Sequence, residues 1–543
     1  MKIISLKITG MTCDGCANGI KKNVASLNGI SHNEVNYQKG EGNFSFDEKL
    51  VSKENIIQEI EKTGHYKVET ESNSNHFDLI IIGGGSAAFS AAIKAESLGL
   101  TTLMVNSGLN FGGTCVNVGC VPSKNLIRAA ETAYHATHSN FKGVKPRGAD
   151  IDFTQIIKDK KQLVATLQQK KYIDVVSDFK NLTMINGWAQ FLDEKTILVD
   201  QKDTYKAVKF IIATGATTNI PNIEGLNEVN YLTNVSLFDL EEKPESLTIM
   251  GAGYIGLEIA MAYNRLGVKV RIIEFTDRPL RSQTKDITDV LETQMKSEGI
   301  EVLPNFRVIK FEKRGANTII HCKCPDGSFT EFIEKGKILV ATGTKPNTSK
   351  LGLENTNLNL DKSGHIIVNN KMETNLSNIY AAGDVANTPS FVYTAAAEGN
   401  TAVTNAFTGD LKTIDYNSLP WVVFTDPQVA GAGMDELQAE ANNIPFEVSK
   451  LELKDVPRAL AAQDTRGFIK LIRNTETDKL IGARIIAPEG GELIQQLSMA
   501  IKFGITVKDL AESFYPYLTL SEGIKLAAIT FGKDVSKLSC CAS

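Results

Sequence analysis

Two apolar strands each run into a glycine-rich turn and a helix, and a short leading segment alternates as βαββαβ; together they predict an α/β chain of several domains. The expected fold class is two Rossmann-like nucleotide-binding domains, preceded by a ferredoxin-like βαββαβ domain and followed by an α+β block. At 543 residues the chain is too long for one hydrophobic core. Its 42% hydrophobic and 22% charged content is that of a soluble globular protein. A net charge of −5 offers no footprint for nucleic acid or a membrane surface, so no nucleic-acid partner is expected. No apolar run has the length of a bilayer span, so no membrane insertion is expected. The opening MKIISLKITGMTC lacks the long apolar core and cleavage site of a signal peptide. The expected location is therefore the cytoplasm, where thiols stay reduced and paired cysteines point to metal or redox work.

In chain order, residues 1–70 form the small domain. IISLKI reads as a strand, Gly19–Leu27 carries a helical period, strands follow around Val35 and Phe44, then a helix at Lys53–Lys62 and a last strand near Tyr66. The polar stretch ETESNSNH has no periodicity and contains the linker, 71–76. At Phe77 the buried-type strand FDLIII leads into Gly83, Gly85 and Ala88, opening the first nucleotide unit, 77–223. The second unit, 224–347, has its strand from Leu247 and its turn at Gly251, Gly253 and Gly256. Such glycines permit a tight turn and a close approach of backbone to a pyrophosphate at the helix N-terminus. A plain tight turn is the competing reading, and the strand and helix flanking each motif argue against it. Two units imply two dinucleotides, or one dinucleotide and a flavin nucleotide. In the first unit Asn106 stands where a carboxylate normally binds the ribose; its amide still hydrogen-bonds a hydroxyl. From about residue 418 strands mix with amphipathic helices.

The eight cysteines fall into four close pairs. Cys115 and Cys120, in FGGTCVNVGCVPSK, lie where a loop runs into a helix, which permits a small disulfide loop and stabilises a thiolate. Two packed cysteines are the bland alternative. Cys13 and Cys16, in GMTCDGC at a helix start, make a two-thiolate site for a soft metal, or a thioredoxin-like redox pair, which the βαββαβ order disfavours. Cys540 and Cys541 are adjacent near the end, where only a strained disulfide forms and a soft ion is readily caught; the alternative is a terminal accident. Cys322 and Cys324, in HCKCPDG, read as incidental members of a strand and turn.

FGGTCVNVGCVPSK closely resembles the redox motif of the flavoprotein disulfide reductases, and the resemblance extends over residues 77–543 through IIATGA at 211–216 and TNLSNIYAAGD at 374–384. It implies FAD bound by 77–223 and 348–417, with Gly113, Thr114, Thr214, Gly215 and Gly383 around it and Asp384 at the ribitol. It implies that Cys120 lies beside the flavin and Cys115 exchanges outward, and that Lys124 sits near the reactive ring and pairs with Glu258. It also implies NADH or NADPH on 224–347, with Tyr254 covering the empty nicotinamide pocket, and a dimerisation domain at 418–543. Glu274, ending VKVRIIEF, fits the 2′-hydroxyl of NADH and repels the 2′-phosphate of NADPH; Arg278 and Arg281 lie within reach of a phosphate, and a solvated strand-end charge is the competing reading.

The disulfide-reducing members carry a histidine near the C-terminus as acid/base for an organic thiol. Here Tyr517 stands at that position in SFYPYLTLSEGIKL, Glu522 is retained, and no histidine follows His365. This argues against a glutathione or lipoamide substrate. The tyrosine and the Cys540–Cys541 pair are similar to the Hg(II)-reducing branch of the family, whose second tyrosine fits Tyr231; a surface aromatic is the alternative there. GMTCDGC resembles the heavy-metal-associated domain. The resemblances imply a homodimer with shared active sites, in which thiol-bound Hg(II) moves from Cys13/Cys16 or Cys540/Cys541 to Cys115/Cys120 and is reduced to Hg(0). A metal-sequestering carrier is the non-enzymatic alternative, and two nucleotide fingerprints would be pointless in it.

Overall fold

The computed structural model describes residues 2–69, 75–534 and 537. The chain forms two compact units, 1–76 and 77–543. Among the described residues no helix is long and apolar enough to cross a membrane.

The first unit runs β1 (Lys2–Thr9), α1 (Asp14–Ala25), β2 (Ile30–Asn36), β3 (Glu41–Phe46), α2 (Lys53–Glu61) and β4 (Lys67–Glu69). The strands form an antiparallel sheet in the order β2-β3-β1-β4. Alternation along the strands turns Leu6, Ile8, Val35, Phe44 and Phe46 to one face, where Ile20 and Val24 of α1 and Ile56 and Ile60 of α2 cover them. A capping box between Ser52 and Asn55 starts α2. Helix α1 begins five residues before the Gly19 that periodicity indicated. Cys13 is its extended N-cap, and the Asp14-Gly15-Cys16 turn carries no apolar period to read.

The second unit opens with β5 (His76–Ile82), α3 (Ser86–Ser97), β6 (Thr102–Asn106), α4 (Gly113–Val118) and α5 (Cys120–Thr137). Parallel strands β5 and β6 join β7 (Leu182–Asn186), while β8 (Ala189–Asp193), β9 (Thr196–Val199) and β10 (Asp203–Ile212) extend the sheet. The strand Ile379–Ala381 returns to pair with the end of β10, so a distant stretch of chain completes the first sheet. A second, five-stranded parallel sheet has Ser246–Met250 at its centre, between Lys337–Val340 and Lys269–Ile273. From it springs α6 (Tyr254–Arg265). An antiparallel three-stranded sheet, Arg307–Arg314, Asn317–Lys323 and Phe329–Glu334, lies beside it. Cys322 is packed there with Val308, Phe311 and Ile320, and burial pushes its thiol up to about 12. The C-terminal block is a five-stranded antiparallel sheet with helices, including Gly490–Lys502 and Glu522–Ile529.

Helices α5 and α6 lie side by side in one core that holds Leu126, Ala130, Leu257 and Met261. At their far end the Arg265 guanidinium sits 4.1 Å from the centre of the Tyr134 ring. It is 3% exposed and pairs with Glu298 at 2.6 Å and with Asp426 of the C-terminal block at 2.9 Å. Removing one partner of a buried ion pair strands the others. Arg265→Ala is therefore expected to destabilise this unit by about 3–5 kcal/mol, seen by calorimetry as a clear drop in its thermal midpoint.

Candidate active site

A cavity of about 540 Å³ opens where α3, α4, α5 and α6 meet α7 (Val392–Phe407) and the C-terminal sheet. Gly85, Gly112, Gly119, Gly215 and Gly383 are among its lining residues, and the glycine turns shape the backbone around it. Gly83 has φ 129° and Gly251 φ 103°, a region that favours glycine. A Cβ on Gly113 would come 2.6 Å from the Cα of Gly85, so these two backbone turns touch and leave no room for side chains. Gly85, Thr114, Gly215, Gly383 and Asp384 line the same cavity. The exposed backbone and the start of α3 fit a pyrophosphate, and the cavity beyond fits a flavin ring. Ala88 is buried in the core of α3. Asn106 is buried against Gly84 and donates its amide to the Leu109 carbonyl at 2.9 Å. The Thr214 hydroxyl donates to the Asn347 carbonyl at 3.0 Å and so ties two loops together.

Burial pushes the Asp384 carboxyl up, and Glu398 adds to the effect. Glu398 is fully buried; it accepts the Gly383 N–H and the Tyr416 hydroxyl, each at 2.7 Å. Neither Glu398 nor Tyr416 was singled out from sequence. The available signal was a carboxylate inside the otherwise uncharged, alanine-rich helix VYTAAAEGNTAV.

Both cavity thiols are free: Cys115 is half-buried in α4, and Cys120, the first residue of α5, is exposed. The Cys120 thiol is lowered to about 7, first by its hydrogen bond with Cys115, with a further contribution from the Lys124 ammonium. The Cys115 thiol is pushed up by the same hydrogen bond and by burial. The pair is thus asymmetric, with the thiolate on Cys120. Lys124 Nζ donates to Glu258 Oε2 at 2.7 Å and lies 4.4 Å from the centre of the Phe424 ring. The Phe424 N–H donates to the other Glu258 oxygen at 3.0 Å.

At the second glycine turn, Glu274 is buried, accepting the Ala252 N–H at 2.6 Å and the Thr276 N–H at 2.8 Å. Arg278 is engaged with Asp277 at 2.7 Å and with the carbonyls of Arg281 and Gln283. Arg281 is exposed and also faces Asp277, at 3.5 Å. Phe275, next to Glu274, is exposed.

In the first unit the Cys13 and Cys16 sulfurs are 3.7 Å apart. Cys16 is lowered to about 6, chiefly by Thr12, whose backbone and hydroxyl both hydrogen-bond the sulfur, with a smaller contribution from the Tyr66 phenol. Tyr66, read from sequence only as a strand marker, is therefore part of the thiol site. Among the described residues no group of three or more His, Cys, Asp or Glu is set to hold a metal ion.

Tyr231 opens a short strand and packs against the core of the second sheet; in that stretch Asn234 is the residue lining the cavity, and it donates to the Val118 carbonyl at 3.0 Å. Tyr517 is on an exposed loop, and Glu522 is buried at a helix start, accepting the Leu518 N–H at 3.2 Å. Cys540 and Cys541 lie outside the described residues.

Residues 77–399 match the pyridine nucleotide-disulphide oxidoreductase family, 419–528 its dimerisation domain, and 5–66 the heavy-metal-associated domain. The chain is 39% identical to a mercuric reductase of Staphylococcus aureus, over 99% of this chain and 98% of that one. It is 38% identical to a mercuric reductase of Lysinibacillus sphaericus over the full length of both. This chain belongs to the mercuric reductase family. Among solved structures it resembles the HOCl-induced flavoprotein disulfide reductase RclA from Escherichia coli in its Cu(II) complex, with 26% identity, a TM-score of 0.73, and coverage of 82% of this chain and 98% of that one. Like other mercuric reductases it is an FAD-dependent oxidoreductase that uses a pyridine nucleotide, and it carries a dimerisation domain.

The thiol asymmetry has a direct readout, because only thiolate reacts with alkylating agents. In the reduced, FAD-loaded protein, Cys120 is expected to label with a midpoint near pH 7, while Cys115 stays slow until far higher pH. Lys124→Gln should move the Cys120 midpoint up. Thr12→Ala should likewise raise the Cys16 midpoint from about 6. Mass-spectrometric labelling across pH checks all three.

Proposed function

We propose that this chain draws thiol-bound Hg(II) onto Cys115 and Cys120 and reduces it to Hg(0) with electrons from NADH. The observation carrying this reading is the lowered Cys120 thiol beside a free Cys115, in a cavity shared with the Lys124–Glu258 pair. In this division of labour, residues 1–70 capture metal, 77–223 and 348–417 hold FAD, 224–347 hold the nicotinamide coenzyme, and 418–543 form the dimer.

Hg(II) arrives held by two thiolates. The resemblance makes Cys115 the outward-exchanging thiol; here Cys120 is the more exposed of the two and the one whose thiol is lowered, so in this reading Cys120 attacks first, displacing one external thiolate, and Cys115 loses its proton as it displaces the second. The ion is then held by two protein sulfurs; one external ligand leaves as thiolate and the other leaves as thiol with the Cys115 proton. Flavin, when bound along the glycine turns, supplies two-electron transfer between the nicotinamide and this site. Lys124 contributes a fixed positive charge at the cavity wall, oriented by both oxygens of Glu258 through the ammonium and the Phe424 N–H. Hg(0) leaves because it binds thiolates weakly. Tyr517 provides no imidazole for organic disulfide chemistry. By family resemblance Tyr231, Tyr517 and the Cys540–Cys541 tail guide the incoming ion, the tail acting on the cavity of the partner subunit.

The decisive experiment is anaerobic oxidation of NADH by the holoenzyme with Hg(II)-dithiolates, trapping mercury vapour. One Hg(0) per NADH is expected, and Cys115→Ala or Cys120→Ala should abolish the vapour; NADH oxidation without vapour would overturn the reading. Glu274 sets the coenzyme expectation. A locked carboxylate beside the 2′ position should favour NADH over NADPH in kcat/KM by about tenfold or more, and Glu274→Ser should shrink that ratio. An NADPH preference in the unaltered enzyme would show that an arginine, not Glu274, governs the site.

A further inference from the structure

The start of α6 carries a stack of side chains that the chemistry above does not use. Trp421, Gly431 and Arg484 face one another at one register across three antiparallel strands of the C-terminal sheet. A Cβ on Gly431 would lie 2.4 Å from the indole and 2.9 Å from the Arg484 side chain, so the missing side chain is what lets both lie across the strand. Arg484 is 3% exposed and fixed by the carbonyls of Ala432, Gly433 and Ala483 at 2.9–3.2 Å. Its guanidinium is 5.6 Å from the Trp421 ring centre. The Tyr393 hydroxyl holds the Pro420 carbonyl, one residue before the tryptophan.

On the other side the Tyr254 ring stacks on Trp421, with centres 6.0 Å apart and planes within 23°. Tyr254 is the first residue of α6, immediately after Gly253, and it forms part of the cavity wall. Its hydroxyl reaches Ser282 and Gln283. A dinucleotide laid on the Gly251–Gly256 turn has to send its reactive ring past the start of α6 into the cavity, and Tyr254 stands there.

We infer that Trp421, backed by Arg484, is a positioning residue that latches Tyr254 shut across the nicotinamide path, so that the coenzyme must break the Tyr254–Trp421 stack to enter. This rests on the reading of 224–347 as the nicotinamide domain. A closed fraction lowers apparent coenzyme affinity by the share of molecules that are open, so weakening the latch tightens binding. An aromatic stack of this kind corresponds to about a two- to tenfold effect.

The test is anaerobic flavin reduction by NADH, followed by stopped flow on the FAD-loaded enzyme and its variants. Trp421→Ala is expected to lower the half-saturating NADH concentration about two- to tenfold, with the effect in that concentration rather than in the limiting rate. Tyr254→Ala should do the same, and the double variant should go no lower than either single one. Trp421→Phe, which keeps an aromatic partner, should stay near the unaltered enzyme. The chain has two tryptophans, Trp188 and Trp421, so in a Trp188→Phe background the remaining emission reports the latch. Binding of NAD⁺ should change that emission, and Tyr254→Ala should remove the change. The latch is overturned if Trp421→Ala leaves half-saturation unmoved, if its effect adds to that of Tyr254→Ala, or if the emission is indifferent to NAD⁺ while NADH still reduces the flavin. Failure of both NADH and NADPH to reduce the flavin in the unaltered enzyme would instead overturn the nicotinamide reading itself.

Discussion

The ion pair between Lys124 and Glu258 joins parts of the chain that sequence keeps far apart. Lys124 belongs to α5, which follows the first nucleotide turns; Glu258 belongs to α6, which follows the second; and the Phe424 N–H that completes the carboxylate comes from the C-terminal block. Lys124 is one-third exposed and Glu258 is 9% exposed, so burial weakens both charges' contact with water. A half-satisfied pair there would be costly. The second Glu258 oxygen is instead bonded to Phe424, and the ammonium lies against that residue's ring, so each group is compensated by the other two. At the far end of the same two helices, Arg265, Tyr134 and Asp426 join the same three parts again. Two helices pinned at both ends hold the thiols and the coenzyme turn in fixed register.

That register has an electrostatic consequence. Cys120 and Tyr254 are the first residues of α5 and α6, so the positive ends of two helix dipoles meet at one cavity. Together with the Lys124 ammonium this favours negative charge there, and the low Cys120 thiol follows from its neighbours rather than from exposure alone. The thiol pair of the first unit reaches a similar end by a different route: Cys16 is half-buried and is lowered by hydrogen bonds from the Thr12 loop, with no lysine among the causes. Both pairs therefore present one ready thiolate beside a second sulfur near neutral pH. Ligand exchange of a two-coordinate soft ion can start from that arrangement, because one sulfur is ready to attack as thiolate.

The fold class was legible because strand, glycine turn and helix are contiguous in sequence, and their periodicities read without tertiary information. The βαββαβ order was legible for the same reason, except at the start of α1, where a thiol loop runs into the helix without an apolar period. The glycines and the spacing of Cys115 and Cys120 were visible as local patterns, and Glu258 was visible through its motif. Glu398, Tyr416, Asn234 and Trp421 were not, because each matters through a partner remote in sequence and none sits in a short motif. Glu398 is typical: a lone carboxylate in an alanine-rich helix acquires meaning only when Gly383 and Tyr416 converge on it. Tyr231 and Tyr517 show the opposite case. Family resemblance marks them, yet neither is among the described residues that line the cavity.

On the proposed NADH reading, the second glycine turn selects by exclusion. Both Glu274 oxygens are committed to backbone N–H groups, so the carboxylate has no freedom to swing away from an incoming phosphate. A mobile glutamate would be a weak discriminator, since side-chain rotation costs little. A locked one keeps its charge beside the turn. Arg278 is turned onto Asp277 and backbone carbonyls, and Arg281 shares the same aspartate. Binding a 2′-phosphate would therefore require breaking contacts already made as well as opposing a fixed negative charge. Specificity built this way needs no strong attraction for the preferred coenzyme; the penalty on the alternative is sufficient. The proposed Tyr254–Trp421 latch belongs to the same logic, because it filters entry through a contact internal to the protein, in a domain whose own turn supplies the affinity.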